Sequence, residues 1–298
     1  MNNKFGGGGL IYHILGILTV VIWGTTFISS KVLLQDGMTA QELFTLRFLM
    51  AYICIWFISP RRLMAWNWKD EGIFVLLGLT GGSLYFISEN VALTITYVNN
   101  VSFIVCASPL LATLLALGIY KRMKATAGLI FGSTLALAGV GVVIFNGQFN
   151  LRLNPLGDTL AVVASLSWAV YSLLIKRLSD NYSAVFITRK VFFYGLVTVL
   201  PMFLYEPWQF PLERFLEPQV CLNFLFLGFL ASFVCFLVWS LVIQKIGALK
   251  ATNYVYINPV STVVASALFL HEPMTTMAYI GCALILGGVY WAGKATVD

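Results

Sequence analysis

Glu89 is the residue most demanding of an explanation. It falls inside a long apolar run, 72–96, where a carboxylate is costly. On insertion scales an ionised side chain at the centre of a membrane helix costs on the order of 2.5–3.5 kcal/mol, so something must offset it. Lys31 and Arg47 reach a similar depth in neighbouring runs. A buried ion pair of Glu89 with either would fix helix register. The same carboxylate could instead titrate as the coupling group of a proton-driven process, or anchor a substrate amine.

Around this acid, polar residues recur at helical spacing. Thr19, Trp23, Thr26 and Ser30 share one face of the first run, as steps of three and four require. Ser165, Trp168 and Ser172, continued by Lys176, do the same in the sixth. Tyr85, Ser88, Glu89 and Thr96 form a third stripe, and Tyr254, Asn258, Ser261 and Thr262 a fourth. Polar residues within a span face the protein interior or a water-filled cavity. We therefore expect Trp23, Thr26, Tyr85, Glu89, Trp168, Ser172, Tyr254 and Asn258 to bind a small solute. Trp23 and Trp168 lie near mid-span rather than at the interfaces where tryptophan collects, and could stack on a solute or attract an ammonium group. Pro109 and Pro259 also fall near mid-span. Each lacks an N–H and orphans a carbonyl one turn earlier, so the pair could supply two hinges.

The elements that must position these residues follow from composition. Of 298 residues, 59% are hydrophobic and 10% charged, against about 25% charged in soluble domains. The apolar residues cluster in runs near the length of about 20 that spans a bilayer as a helix, without the alternation of barrel strands. Ten spans are predicted, at roughly 12–34, 41–59, 72–96, 98–120, 125–146, 157–178, 185–205, 221–244, 250–270 and 276–293. With a cytoplasmic N-terminus, fourteen of the eighteen Lys and Arg fall on cytoplasmic segments and only Arg152 and Arg214 outside. That is the positive-inside pattern. It accounts for the net charge of +6 without a nucleic-acid partner. No small-residue cleavage site follows a short apolar core, so the first span is expected to be retained.

The chain also repeats itself. Trp23-Gly24 with Lys31 recurs as Trp168-Ala169 with Lys176, a shift of 145 in both cases. Arg47 is paired with Arg189, Ser108-Pro109 with Asn258-Pro259, and Gly139 with Gly288. With five spans per half, the second half must enter the membrane from the opposite side, as in transporters built from inverted repeats. The expected architecture is all-α: a polytopic membrane protein of ten transmembrane helices, built from two inverted five-helix repeats at 10–146 and 157–293.

Trp23-Gly24-Thr25-Thr26-Phe27 with Lys31, Leu46-Arg47-Phe48, and the run from Asn258-Pro259 to His271-Glu272-Pro273 with Gly281 and Gly287-Gly288 together resemble the EamA family of the drug/metabolite transporter superfamily. The resemblance covers nearly the whole chain. It implies ten helices, cytoplasmic termini in the cell membrane, and export of small metabolites. In one departure, Glu272-Pro273 is replaced by Arg122-Met123 in the first half.

The function expected is a secondary transporter that exports an amino acid or similar amphipathic solute by alternating access. An antiporter of phosphorylated or nucleotide-linked solutes and a passive facilitator are the alternatives. No P-loop, His-Glu-x-x-His or Gly-x-Ser-x-Gly motif occurs, so no enzyme activity, metal or cofactor is expected. The five cysteines form no close pair and serve as apolar fillers. The expected partners are the solute, the lipid bilayer and, for coupling, protons.

Overall fold

The computed structural model describes residues 8–59, 62–96, 98–119, 126–145, 154–269 and 275–295. Arg122-Met123, His271-Glu272-Pro273 and the loop cations Lys4, Arg61, Lys121, Lys124 and Arg152 lie outside the described residues, as does the side chain of Thr262. The described residues form helices and no strand.

We number the helical segments in chain order. In the first half they are α1 (Gly8–Gln35), α2 (Ala40–Trp56), α3 (Trp68–Ile95), α4 (Val98–Val105, then Ser108–Ile119) and α5 (Ala127–Phe145). The second half holds α6 (Pro155–Leu178), α7 (Ala184–Leu204) and α8 (Pro218–Ile246). It ends in α9 (Ala248–Asn253, a 3₁₀ turn Tyr254–Ile257, then Asn258–Phe269) and α10 (Thr276–Ala295). Eight of these segments are long and apolar enough to cross a membrane. The exceptions are α2, which has 17 residues, and α9, which is broken into three pieces.

Local chemistry sets the starts. Thr39 caps α2 through a reciprocal box with Glu42, satisfying two otherwise orphaned donors. Asn67, Asn154 and Ser183 cap α3, α6 and α7. Asp158 lies one turn inside α6. Its carboxylate accepts the Asn154 N–H and the Thr96 hydroxyl. Gly247 turns α8 into α9 at φ 87°, a left-handed conformation that favours glycine.

Both α3 and α8 are interrupted by π-helical stretches, at Leu79–Ser83 and Phe226–Val234. Each follows or contains a glycine pressed on a neighbour. At Gly78 an added Cβ would lie 2.3 Å from Tyr194 Cβ. At Gly228, 150 residues on, it would meet Met50. Tyr194 and Met50 are 144 apart, the same spacing as the caps Ser183 and Thr39 and the touching rings Phe192 and Phe48. The packing of one half thus reappears in the other with the roles exchanged. On this spacing Arg47 falls opposite Val191. The sequence pairing of Arg47 with Arg189 is therefore shifted by two residues.

The helices α5 and α10 meet backbone to backbone. A Cβ on Gly132 would lie 2.7 Å from Gly288 O, and one on Gly139 2.8 Å from Gly281 O. Because 132 faces 288 while 139 faces 281, the two helices run antiparallel.

Candidate functional site

A narrow cavity opens where both halves meet. From the first half it is lined by Trp23, Thr26 and Phe27 of α1, Arg47 of α2, Tyr85, Phe86 and Glu89 of α3, and Val105 and Ser108 of α4. The second half contributes Trp168 of α6, Phe236 of α8, and Val255 and Asn258 of α9.

Its aromatic floor is built from corresponding residues. Trp23 and Trp168 meet edge to face at 5.2 Å, and Phe86 and Phe236 lie 6.1 Å apart. Trp239 supports Trp23 at 5.1 Å, and Tyr85 supports Trp168 at 5.1 Å. Such ring contacts fix orientation as well as burying area.

Two charges stand in this aromatic setting. Glu89 is 7% exposed and accepts a hydrogen bond from the Tyr85 hydroxyl at 2.7 Å. Arg47 is 3% exposed; its Nε donates to Ser232 at 3.2 Å and its guanidinium lies 4.7 Å from the centre of the Phe86 ring. The two face one cavity but form no ion pair within 4.0 Å. Tyr85 and Ser232 take the places that each would have given the other. Lys31, the alternative partner, is exposed. It forms no ion pair within 4.0 Å among the described residues.

Of the solute-binding residues expected from the sequence, Trp23, Thr26, Tyr85, Glu89, Trp168 and Asn258 are brought together here, with Arg47. Ser172 and Tyr254 are not. Ser172 is fully buried with its hydroxyl on Trp168 O at 2.9 Å, one turn back in its own helix. Tyr254 faces away and bonds His13. Within the other polar stripes, Thr19 bonds Leu15 O and Ser165 bonds Val105 O. The Val105 carbonyl is the one Pro109 leaves without a helical donor. Pro109 and Pro259 are each the second residue of a helical limb, after Ser108 and Asn258. The expected mid-helix kinks are therefore breaks, with proline where it is tolerated.

Phe27, Phe86, Val105, Ser108, Phe236 and Val255 complete the lining, none of them among the solute-binding residues expected from the sequence. Phe86 and Phe236 carried a signal, the same 150-residue shift that relates the two prolines. Among the described residues no group of three or more His, Cys, Asp or Glu could hold a metal.

A second buried charge cluster lies outside the cavity. Lys190 pairs with Glu71, whose carboxylate also accepts the Tyr194 hydroxyl and, at 2.7 Å, the Ala65 N–H. Arg189 donates to Ser59 and to Arg62 O. These contacts tie α7 to the α2–α3 connection.

Helices long and apolar enough to cross a membrane, packed around a cavity that holds two buried charges among aromatic rings, are the architecture of a polytopic membrane transporter. The EamA-like transporter family model matches residues 10–145 and again 155–293. The chain belongs to that family. An uncharacterized transporter of Archaeoglobus fulgidus is 27% identical over 290 residues, covering 93% of this chain and 96% of that one. The "probable amino-acid metabolite efflux pump" of Escherichia coli is 24% identical, covering 93% of each chain. The "probable terminal-alkyne amino-acid exporter" of Streptantibioticus cattleyicolor is 24% identical over 94% of this chain and 93% of its own. A solved crystal structure 19% identical in sequence shares the fold, with a TM-score of 0.73 over 96% of this chain and 98% of that one.

Proposed function

We propose that this protein is a secondary transporter that exports an amino acid or similar amphipathic solute across the cell membrane by alternating access. In this reading all ten helical segments cross the bilayer, as two inverted five-helix repeats at 10–146 and 157–293, with both termini cytoplasmic. The antiparallel seam of α5 and α10 and the exchanged packing of Gly78 and Gly228 support the inversion. The observation that carries the function is the cavity itself: both halves line it, corresponding tryptophans meet at its floor, and two charges face it. The breaks before Pro109 and Pro259 are the places where each repeat would bend as the cavity changes side. The names of the Escherichia coli and Streptantibioticus relatives favour an amino-acid cargo. One guanidinium opposed by one carboxylate suits a net-neutral solute better than a phosphorylated one.

Purified protein in proteoliposomes should give saturable counterflow of a labelled amino acid. Flux that never saturates would indicate a passive facilitator, and no flux above empty vesicles with any amino acid would overturn the cargo assignment. If Glu89 couples transport to protons, Glu89→Gln abolishes acceleration by a pH gradient but retains counterflow. Gradient-driven flux that survives the substitution removes Glu89 from coupling.

A further inference from the structure

Leu33 of α1, Met38 of the turn that follows, Leu43 of α2, and Val220 and Leu227 of α8 form a small apolar cluster with Phe210, separate from the main core. Leu33 stands seven residues after Thr26, and Leu43 four before Arg47. Those steps keep to one helix face, so the cluster caps the cavity at the end of the α1–α2 turn. By the repeat spacings Leu33, Met38, Leu43 and Leu227 correspond to Leu178, Tyr182, Ile187 and Leu77, which all belong to the main core. The two ends therefore differ. One is built into the core, whereas the other is completed by a side chain from the connection between α7 and α8.

Phe210 is 2% exposed, although the segment that carries it, 206–211, has no regular secondary structure. Side chains hold its backbone instead. Glu42 accepts the Gln209 N–H at 2.5 Å and the Phe210 N–H at 2.9 Å, and Trp208 Nε1 donates to Phe210 O at 2.6 Å. Gln41 donates to Glu206 at 2.5 Å. Glu42 is fully buried, and no Lys or Arg among the described residues pairs with it within 4.0 Å. Main-chain N–H groups meet its charge, the third being that of Thr39. Lifting the segment would uncover this carboxylate to water, which can replace the two lost donors. At the other end, Glu71 and Lys190 form an ion pair buried on both sides, which is costlier to part.

We propose that segment 206–211 is a latch over this end of the cavity, with Phe210 as its plug and Glu42 as its catch. Its release opens the cavity on the side of the α1–α2 turn, the outer side in the proposed orientation. The assignment rests on the alternating-access reading, and adds to it which end yields first and which residues hold that end shut. Leu204 and Tyr205 before the segment and Leu216 after it are exposed, so Phe210 is the anchor that must leave the protein interior.

The test is the rate at which a maleimide modifies a thiol placed in the cavity of the detergent-purified protein. Thr26→Cys is introduced into a chain whose five native cysteines are replaced by alanine. Phe210→Ala removes the plug and should speed modification about 100-fold. Glu42→Gln keeps the shape but weakens the charge-assisted bonds, and should speed it roughly fivefold. Phe210→Leu refills the apolar site and should return the rate to near that of the parent. A thiol introduced by Ser240→Cys, at a fully buried position outside the cavity lining, should stay unreactive in every variant.

Unchanged rates at Thr26→Cys in both Phe210→Ala and Glu42→Gln overturn the proposal. Equal acceleration at Ser240→Cys also overturns it, because that reports a general loosening of the fold. If Phe210→Ala fails to fold, Glu42→Gln decides alone. Absent counterflow together with the expected rates would remove the transporter reading and leave the latch standing. Counterflow together with unchanged rates would remove only the latch.

Discussion

The two halves share a scaffold and divide the chemistry. Each brings a tryptophan, a phenylalanine and a proline-broken helix to the cavity. The first half alone brings charge. Opposite Glu89, 150 residues on, stands Trp239, fully buried against Trp23. Opposite Arg47, 144 residues on, stands Val191, also fully buried. The Glu71–Lys190 pair likewise maps onto Cys221 and Leu46, an apolar combination. Repeating the fold therefore did not repeat the site. Helix crossings depend on small residues and ring shapes, which survive duplication, whereas a cargo site needs polarity at one place only. Relocating either charge to its counterpart would put it into a packed apolar spot with no partner, at a cost of several kcal/mol.

Several substitutions would break or sharpen this contrast. The largest effect is expected at the charges. Arg47→Gln should lower counterflow about 100-fold or more, as truncating one buried charged partner costs about 2–5 kcal/mol, whereas Arg189→Gln, away from the cavity, should lower thermal stability and leave cargo preference unchanged. Equal loss of preference in both would put function in the second half too. Next come the glycines at the α5–α10 seam. Gly132→Ala and Gly288→Ala each place a Cβ 2.4 Å from a backbone nitrogen of the other helix, and should destabilise the protein equally, by about 1–3 kcal/mol, in unfolding followed in detergent.

A smaller, unequal pair tests where the halves part. Gly78→Ala drives into Tyr194 Cβ and backbone, while Gly228→Ala meets the movable Met50 sulfur at 2.6 Å. The first should again cost about 1–3 kcal/mol and the second roughly 1 kcal/mol or less. The smallest effect is expected in the 205–217 connection. The Arg214 guanidinium hydrogen-bonds Glu217 and holds its carboxyl below the usual carboxylate range, while also donating to Asp36 O of the first half at 2.6 Å. A depressed carboxylate stabilises above its unfolded pKa near 4.3 and loses that contribution as pH falls through the folded value. Arg214→Ala should therefore flatten the decline of the unfolding midpoint as pH falls below about 5.

Much of this was legible in the residues. Apolar run length located the helices, and mid-span tryptophans at a fixed shift marked the floor of the cavity. Glu89 and Arg47 were recognisable because charge in an apolar run is expensive wherever it points. Hydroxyl stripes were less informative. Thr19, Ser165, Ser172 and Thr26 all have helical spacing and all bond a carbonyl, three of them one turn back in their own helix, yet of these only Thr26 lines the cavity. A serine or threonine can satisfy itself on its own backbone, so its presence does not report a cavity. The correspondence of Arg47 was misjudged because like residues attract alignment, while the caps Thr39 and Ser183 set the true spacing. The π-helical stretches in α3 and α8 left no pattern to read. They follow from contacts with other helices, and an extra residue per turn rotates every side chain that follows.

Where Gly132 and Gly139 face Gly288 and Gly281, the backbones of α5 and α10 meet directly, with Val143 and Leu284 pressed in beside them. Such a contact has few rotamers to exchange, so it yields by degrees less readily than a bed of leucines. Neither helix lines the cavity. In the alternating-access proposal the seam would serve as the fulcrum: the cavity walls would swing while the last helix of each half stays clamped to its mate, and displacement would grow with distance from that line.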